Sequence, residues 1–115
     1  RGIILGRIMK YWDRAISDFS KAIELDSTYY LAYTNRAIAM EALLNFSGAM
    51  SDYNSSLRLN PDNTNALFNR GLLYKDLNQK RKACKDLRKS AKLGDNDALK
   101  ILQEYCRCDI IEGNE

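Results

Sequence analysis

Histidine is absent from the 115 residues, which removes the commonest general base and the commonest metal ligand together. Three cysteines, Cys84, Cys106 and Cys108, are too few for a disulfide scaffold. Cys106 and Cys108, without a second pair or a histidine, cannot complete a tetrahedral metal site. One proline and six glycines argue against a turn-rich β fold and suit an all-helical chain. No run approaches the ~20 consecutive apolar residues that a membrane span needs. A glycine-rich phosphate loop is missing, and no nucleophile stands beside a plausible base, so neither an enzyme nor a bound cofactor is expected. The first residue is Arg1 rather than methionine. It reads as the start of a fragment or processed product, and localisation stays open.

What is present is a soluble, folded composition, 45% hydrophobic and 29% charged, with a mild net charge of +3 that does not by itself argue for nucleic acid. The stretch Ala49 to Pro61, AMSDYNSSLRLNP, recurs 34 residues earlier as AISDFSKAIELDS and 34 later as ACKDLRKSAKLGD. In each copy a small residue (Ala15, Ala49, Ala83) precedes a large one by four (Phe19, Tyr53, Leu87). Three further on stands another small residue (Ala22, Ser56, Ser90), and each copy ends in a leucine (Leu25, Leu59, Leu93). Steps of four and three place these on one helical face. Small beside large lets two helix backbones approach while the large side chain fills the gap. The acid before each large residue (Asp18, Asp52, Asp86) lies off that face and is expected to be solvated. The preceding segments repeat in phase: AYTNRAIAM from Ala32 matches ALFNRGLLY from Ala66.

A period of 34 with two helices per unit and the A-x3-F…P signature resembles the tetratricopeptide repeat, over nearly the whole chain. Where the family's first helix carries Trp, Leu and Gly, this chain has Tyr33, Arg36 and Ala37, then Leu67, Arg70 and Gly71. The resemblance implies an all-α fold, a right-handed superhelical array of antiparallel helix pairs. A single domain over 1–107 is expected, with units at about 1–29, 30–63 and 64–95, a capping helix at 96–107 and a polar tail at 108–115.

The first unit's first helix should survive as Arg1 to Met9, with a turn at Lys10 to Trp12 and a second helix from Asp13 to Leu25. Asp26, Ser27 and Thr28 are candidate caps for the next helix, Tyr29 to Leu44. Asn45 to Gly48 reverses the chain, and the following helix stops at Asn60 and Pro61. Asp62 and Asn63 then cap a helix from Thr64 to Leu77, Asn78 and Gln79 turn the chain, and Lys80 to Leu93 ends at Gly94. Asp95 caps the last helix, Asn96 to Cys106.

The resemblance implies a concave groove lined by the first helix of each unit. Carried over, that lining is Leu31, Thr34, Asn35, Ile38, Glu41 and Ala42, then Asn65, Phe68, Asn69, Leu72, Lys75 and Asp76. Amides offer a donor and an acceptor to an extended peptide backbone, and Phe68, Ile38 and Leu72 an apolar patch. A family subtype grips the C-terminal carboxylate of chaperones with lysines, an arginine and asparagines. Here those places hold Thr34, Ile38, Asn65 and Asn69, so that ligand is disfavoured. Lys80 to Lys92 carries seven cations against Asp86, which fits a solvated face better than an anionic partner, and no aromatics interleave the charges. Cys84 lies ten residues before Gly94 and Cys106 twelve after, so a helical hairpin brings them to similar levels. They form either a disulfide, which would imply an oxidising compartment such as a periplasm, or a pair of small, partly buried thiols. The expected role is a non-catalytic scaffold binding a protein or peptide. Self-association through the truncated first unit is the alternative, and nucleic acid through the basic helix is less favoured.

Overall fold

The computed structural model describes residues 2–106, with side chains from residue 6 onward; Cys108 and the expected polar tail lie outside these. Six helices occupy the described residues and no strand occurs among them: α1 Gly2–Leu25, α2 Tyr30–Ala42, α3 Phe46–Leu59, α4 Thr64–Asp76, α5 Lys80–Lys92 and α6 Asn96–Tyr105. The chain divides after Pro61 into two compact units. In the first, α2 packs against α1 and α3; in the second, α5 packs against α4 and α6.

Each core rests on the repeated small and large pairs. Ala49 and Tyr53 of α3 are fully buried, Ala32, Ala37 and Ala39 of α2 are buried with them in the first unit, and Ala83 and Leu87 of α5 are fully buried in the second. Burying one large apolar side chain is worth about 1.5–3 kcal/mol, so these anchors carry much of each hairpin. Tyr53 keeps a polar end: its hydroxyl donates to Glu41 Oε2 at 3.3 Å. Burial pushes that phenol's pKa up, and the Glu41 charge adds to the effect. Cys84 and Leu87 of α5 join Ala98 and Leu102 of α6 and Cys106 in a cluster against which Phe68, Ile101 and Tyr105 pack. Cys84 and Cys106 are bonded in the structure, with their Cα atoms 5.8 Å apart.

Three helices end in the same hydrogen-bonded closure. After α2, Leu44 N–H donates to Glu41 O and Asn45 N–H to Met40 O; after α4, Asn78 donates to Lys75 and Gln79 to Tyr74; after α5, Gly94 donates to Ala91 and Asp95 to Ser90. This closure needs a left-handed residue, and Leu44, Asn78 and Gly94 have φ of 64°, 61° and 105°. Asn45 then caps α3 by accepting from Gly48 N–H at 3.0 Å. A Cβ on Gly48 would meet Asn45 Nδ2 and Met40 Sδ at 2.7 Å each, so a side chain there would displace the ends of the Asn45 and Met40 side chains.

The expected turn at Lys10 to Trp12 does not form, because α1 is a single helix of 24 residues. The residue 34 before Leu44 is Lys10, and the residue 34 before the capping Asn45 is Tyr11. Neither a left-handed residue nor a side-chain acceptor is available, so the helix continues. The expected caps before α2 and α4 are also absent: Tyr29 and Asn63 hold the cap positions without a side-chain cap bond. Asp26 instead accepts from Thr28 N–H and Thr28 Oγ1, which lowers its pKa.

The repeated acid is the larger correction. Asp52 and Asp86 are buried, each 5% exposed, whereas Asp18 is exposed. Arg36 Nε and Nη2 donate to the Asp52 carboxylate at 2.7 and 2.8 Å, and Arg70 Nε and Nη2 to the Asp86 carboxylate at 2.7 and 2.9 Å. Both arginines stand 16 residues before their acid. The forked geometry lets one guanidinium satisfy both carboxylate oxygens. These bonds hold each arginine's pKa above its ordinary value, against the opposing pull of burial. The two arginines that depart from the family pattern are therefore the partners of the acids expected to be solvated.

Candidate functional site

A cleft of about 730 Å³ opens on the second unit. One wall is the start of α4, with Thr64, Asn65, Phe68 and Asn69, and the other is the α5–α6 connection, with Leu93, Gly94, Asp95, Asn96 and Asp97. The walls are fixed by local chemistry. Gly94 takes the left-handed conformation that closes α5. Asp95 Oδ1 then accepts from Asp97 N–H at 3.1 Å and Ala98 N–H at 3.3 Å, starting α6. Ser90 Oγ donates to Asp95 Oδ2 at 2.8 Å and lies 3.4 Å from Thr64 O, holding the α6 start beside the α4 start. Phe68 is half-buried against the core cluster, leaving part of its ring to the cleft. Asn69 Nδ2 donates to Asn65 O at 2.8 Å, which leaves its side-chain carbonyl and second N–H for a ligand. The arrangement offers an apolar floor, amide donors and acceptors, and carboxylates at one rim.

Of the residues expected to line a groove, Asn65, Phe68 and Asn69 share this cleft. Leu72 is half-buried and Asp76 is the exposed last residue of α4. Lys75 lies over the Tyr105 ring instead, 5.3 Å from its centroid. In the first unit, Leu31, Asn35 and Ala42 are exposed on α2 and Ile38 is half-buried. Thr34 is not a lining residue: it is 1% exposed, its Oγ1 donating to Tyr30 O at 3.1 Å and lying 2.6 Å from Ser56 Oγ. A hydroxyl at that place is consumed between α2 and α3. Glu41 is half-buried and accepts from Tyr53. The residues that sequence reasoning missed are Thr64 and the connection Leu93 to Asp97. The signal was a helix-ending glycine followed by a capping acid, which marks a turn without showing that the turn forms a wall.

Residues 52–85, running from one buried aspartate almost to its counterpart in the next copy, match the family model described as tetratricopeptide repeat. The chain belongs to the tetratricopeptide-repeat proteins. In tetratricopeptide terms, α2 with α3 and α4 with α5 are repeat hairpins, and α6 is the capping helix. Sperm-associated antigen 1 of Mus musculus is 38% identical over 99 residues, which are 84% of this chain and 10% of that protein. The chain thus spans about a tenth of the length of that curated relative. Among solved structures, the first tetratricopeptide domain of Spaghetti (RPAP3), bound to the HSP90 peptide SRMEEVD, superposes with a TM-score of 0.78 at 29% identity. That match covers 86% of this chain and 80% of the other. The tetratricopeptide domain of Arabidopsis OM64 gives 0.79 at 25% identity, covering 85% and 83%.

Proposed function

We propose that this chain is a non-catalytic interaction module that holds an extended segment of a partner protein in the cleft on its second unit. The observation that carries the reading is the cleft itself, where the Phe68 ring and the Asn65 and Asn69 amides face one opening of about 730 Å³. A peptide side chain would cover Phe68, while the amides would pair with its backbone. Support comes from the similar Spaghetti domain, which was solved with a peptide bound. A chaperone-type C-terminal carboxylate is not the ligand proposed. The places expected to supply cations hold Thr34, Ile38, Asn65 and Asn69, and Thr34 is buried. The carboxylates of Asp95 and Asp97 at the rim favour a segment carrying a basic or neutral residue there.

A peptide-library screen on the whole chain, followed by titration of the best ligand, tests this. Phe68→Ala and Asn69→Ala should each weaken binding by about tenfold or more. Asn35→Ala in the first unit should change it less than twofold, with helicity unchanged throughout. Ligands that bind the Phe68 and Asn69 variants as tightly as the parent would remove the cleft from consideration.

A further inference from the structure

Two tyrosine rings in the second unit gather more cations than the acids nearby answer. Lys75 Nζ and Lys80 Nζ lie 5.3 and 5.4 Å from the centroid of Tyr105, and Lys82 Nζ lies 5.7 Å from that of Tyr74. Arg70 also faces Tyr74 but is neutralised by Asp86. Among the described residues no carboxylate pairs with Lys75, Lys80 or Lys82. Lys75 comes from the last turn of α4 and the other two from the first turn of α5, so the turn between them brings the charges together. Lys85, exposed and likewise unanswered, extends the patch along α5. Two ammonium groups on one ring can be no further apart than the sum of their distances, 10.7 Å. That is near the ~8 Å screening length at physiological salt, so one anionic ligand would feel both. The rings hold each lysine by cation–π attraction, while the mutual repulsion is left for something outside to relieve.

We infer that Lys75, Lys80 and Lys82, arrayed on Tyr74 and Tyr105, form with Lys85 one turn further along α5 a docking site for an acidic segment of a partner polypeptide. Each ring already carries two cations, Lys75 and Lys80 on Tyr105 and Arg70 and Lys82 on Tyr74, which compete with a base for stacking. The apolar residues of α5 are turned inward, Ala83, Cys84 and Leu87 being fully buried, so the helix has nothing to insert into a bilayer. A polypeptide with several carboxylates can answer more than one of these charges at once. The site is separate from the cleft, since none of the four lysines lines it.

Fluorescence anisotropy of a labelled ten-residue polyglutamate peptide with the whole chain tests the site. Saturable one-to-one binding is expected at 50 mM salt, weakening as salt is added. Lys80→Glu/Lys82→Glu should reduce affinity at least tenfold and Lys80→Gln/Lys82→Gln at least threefold. Phe68→Ala should leave it unchanged. The glutamine variant decides the matter if the reversed one loses helicity. Absence of binding at 50 mM salt, or glutamine variants binding like the parent, would overturn the proposal. So would tighter binding of a 20-base-pair duplex or of phosphatidylserine vesicles in the same buffer, because the cluster would then read phosphate.

Discussion

Asp18, Asp52 and Asp86 hold the same place in three copies of one pattern, yet only the last two are buried. The difference lies 16 residues upstream, where Arg36 and Arg70 stand before Asp52 and Asp86 while Gly2 stands before Asp18. A carboxylate can leave water at this position only when a guanidinium follows it in, because an unpaired buried charge costs several kcal/mol. Asp52→Ala and Asp86→Ala should therefore each destabilise the fold by about 2–3 kcal/mol, since each takes the carboxylate from a partly buried guanidinium. Asp18→Ala should stay within about 0.5 kcal/mol; denaturant titration of the three variants is the check. The pairing was not legible from the periodicity of one helix, which only shows that the acid lies off the contact face. It takes the second helix to show that an arginine reaches across that edge. Asn65, Phe68 and Asn69, carried over from the family resemblance as lining residues, share the cleft of the second unit. Thr34 was carried over too, but Ser56 opposite captures its hydroxyl.

Among the elements, α2 and α4 to α6 follow the sequence reading to within two residues at each end, whereas α3 begins at Phe46, inside the reversal expected at Asn45 to Gly48, because Asn45 alone caps it. The first helix departs from it because periodicity marks faces and not ends. Without a residue to close the helix at Lys10, two expected helices become one. The three closures also differ in cost. Glycine accepts a left-handed conformation freely and asparagine tolerates it, whereas for leucine it costs about 1–2 kcal/mol. Leu44 is 74% exposed, so its side chain contributes little packing in return. Leu44→Gly should raise stability by about 1 kcal/mol and leave the helical signal unchanged, as thermal unfolding followed by circular dichroism would read.

For the molecule as a whole, the modest net charge conceals a separation. Helix α5 carries seven cations and one acid, and the rest of the chain eleven cations and fourteen acids. The whole-chain value of +3 is thus +6 on 13 residues set against −3 elsewhere. Neighbouring cations one turn apart on a helix repel by a few tenths of a kcal/mol each, and salt screens them. The melting temperature should rise by about 3–5 °C between 10 and 300 mM sodium chloride, an increase of under 1 kcal/mol. In Lys85→Gln/Lys89→Gln it should rise by less than half as much. Composition already showed the basic run, but the placing of Lys75 and Lys80 on the Tyr105 ring depends on α6, whose path past the end of α4 no periodicity encodes.

In each unit the substantial contacts join helices that are neighbours along the chain, and the disulfide spans only 22 residues. Little entropy is then spent closing long loops before packing begins to reward it. Each hairpin can search for its partner locally and complete itself while the rest of the chain is still unfolded. Refolding belongs in the microsecond-to-millisecond range of low-contact-order helical proteins, with no strand among the described residues to hold exposed apolar surface open while it waits for a distant partner.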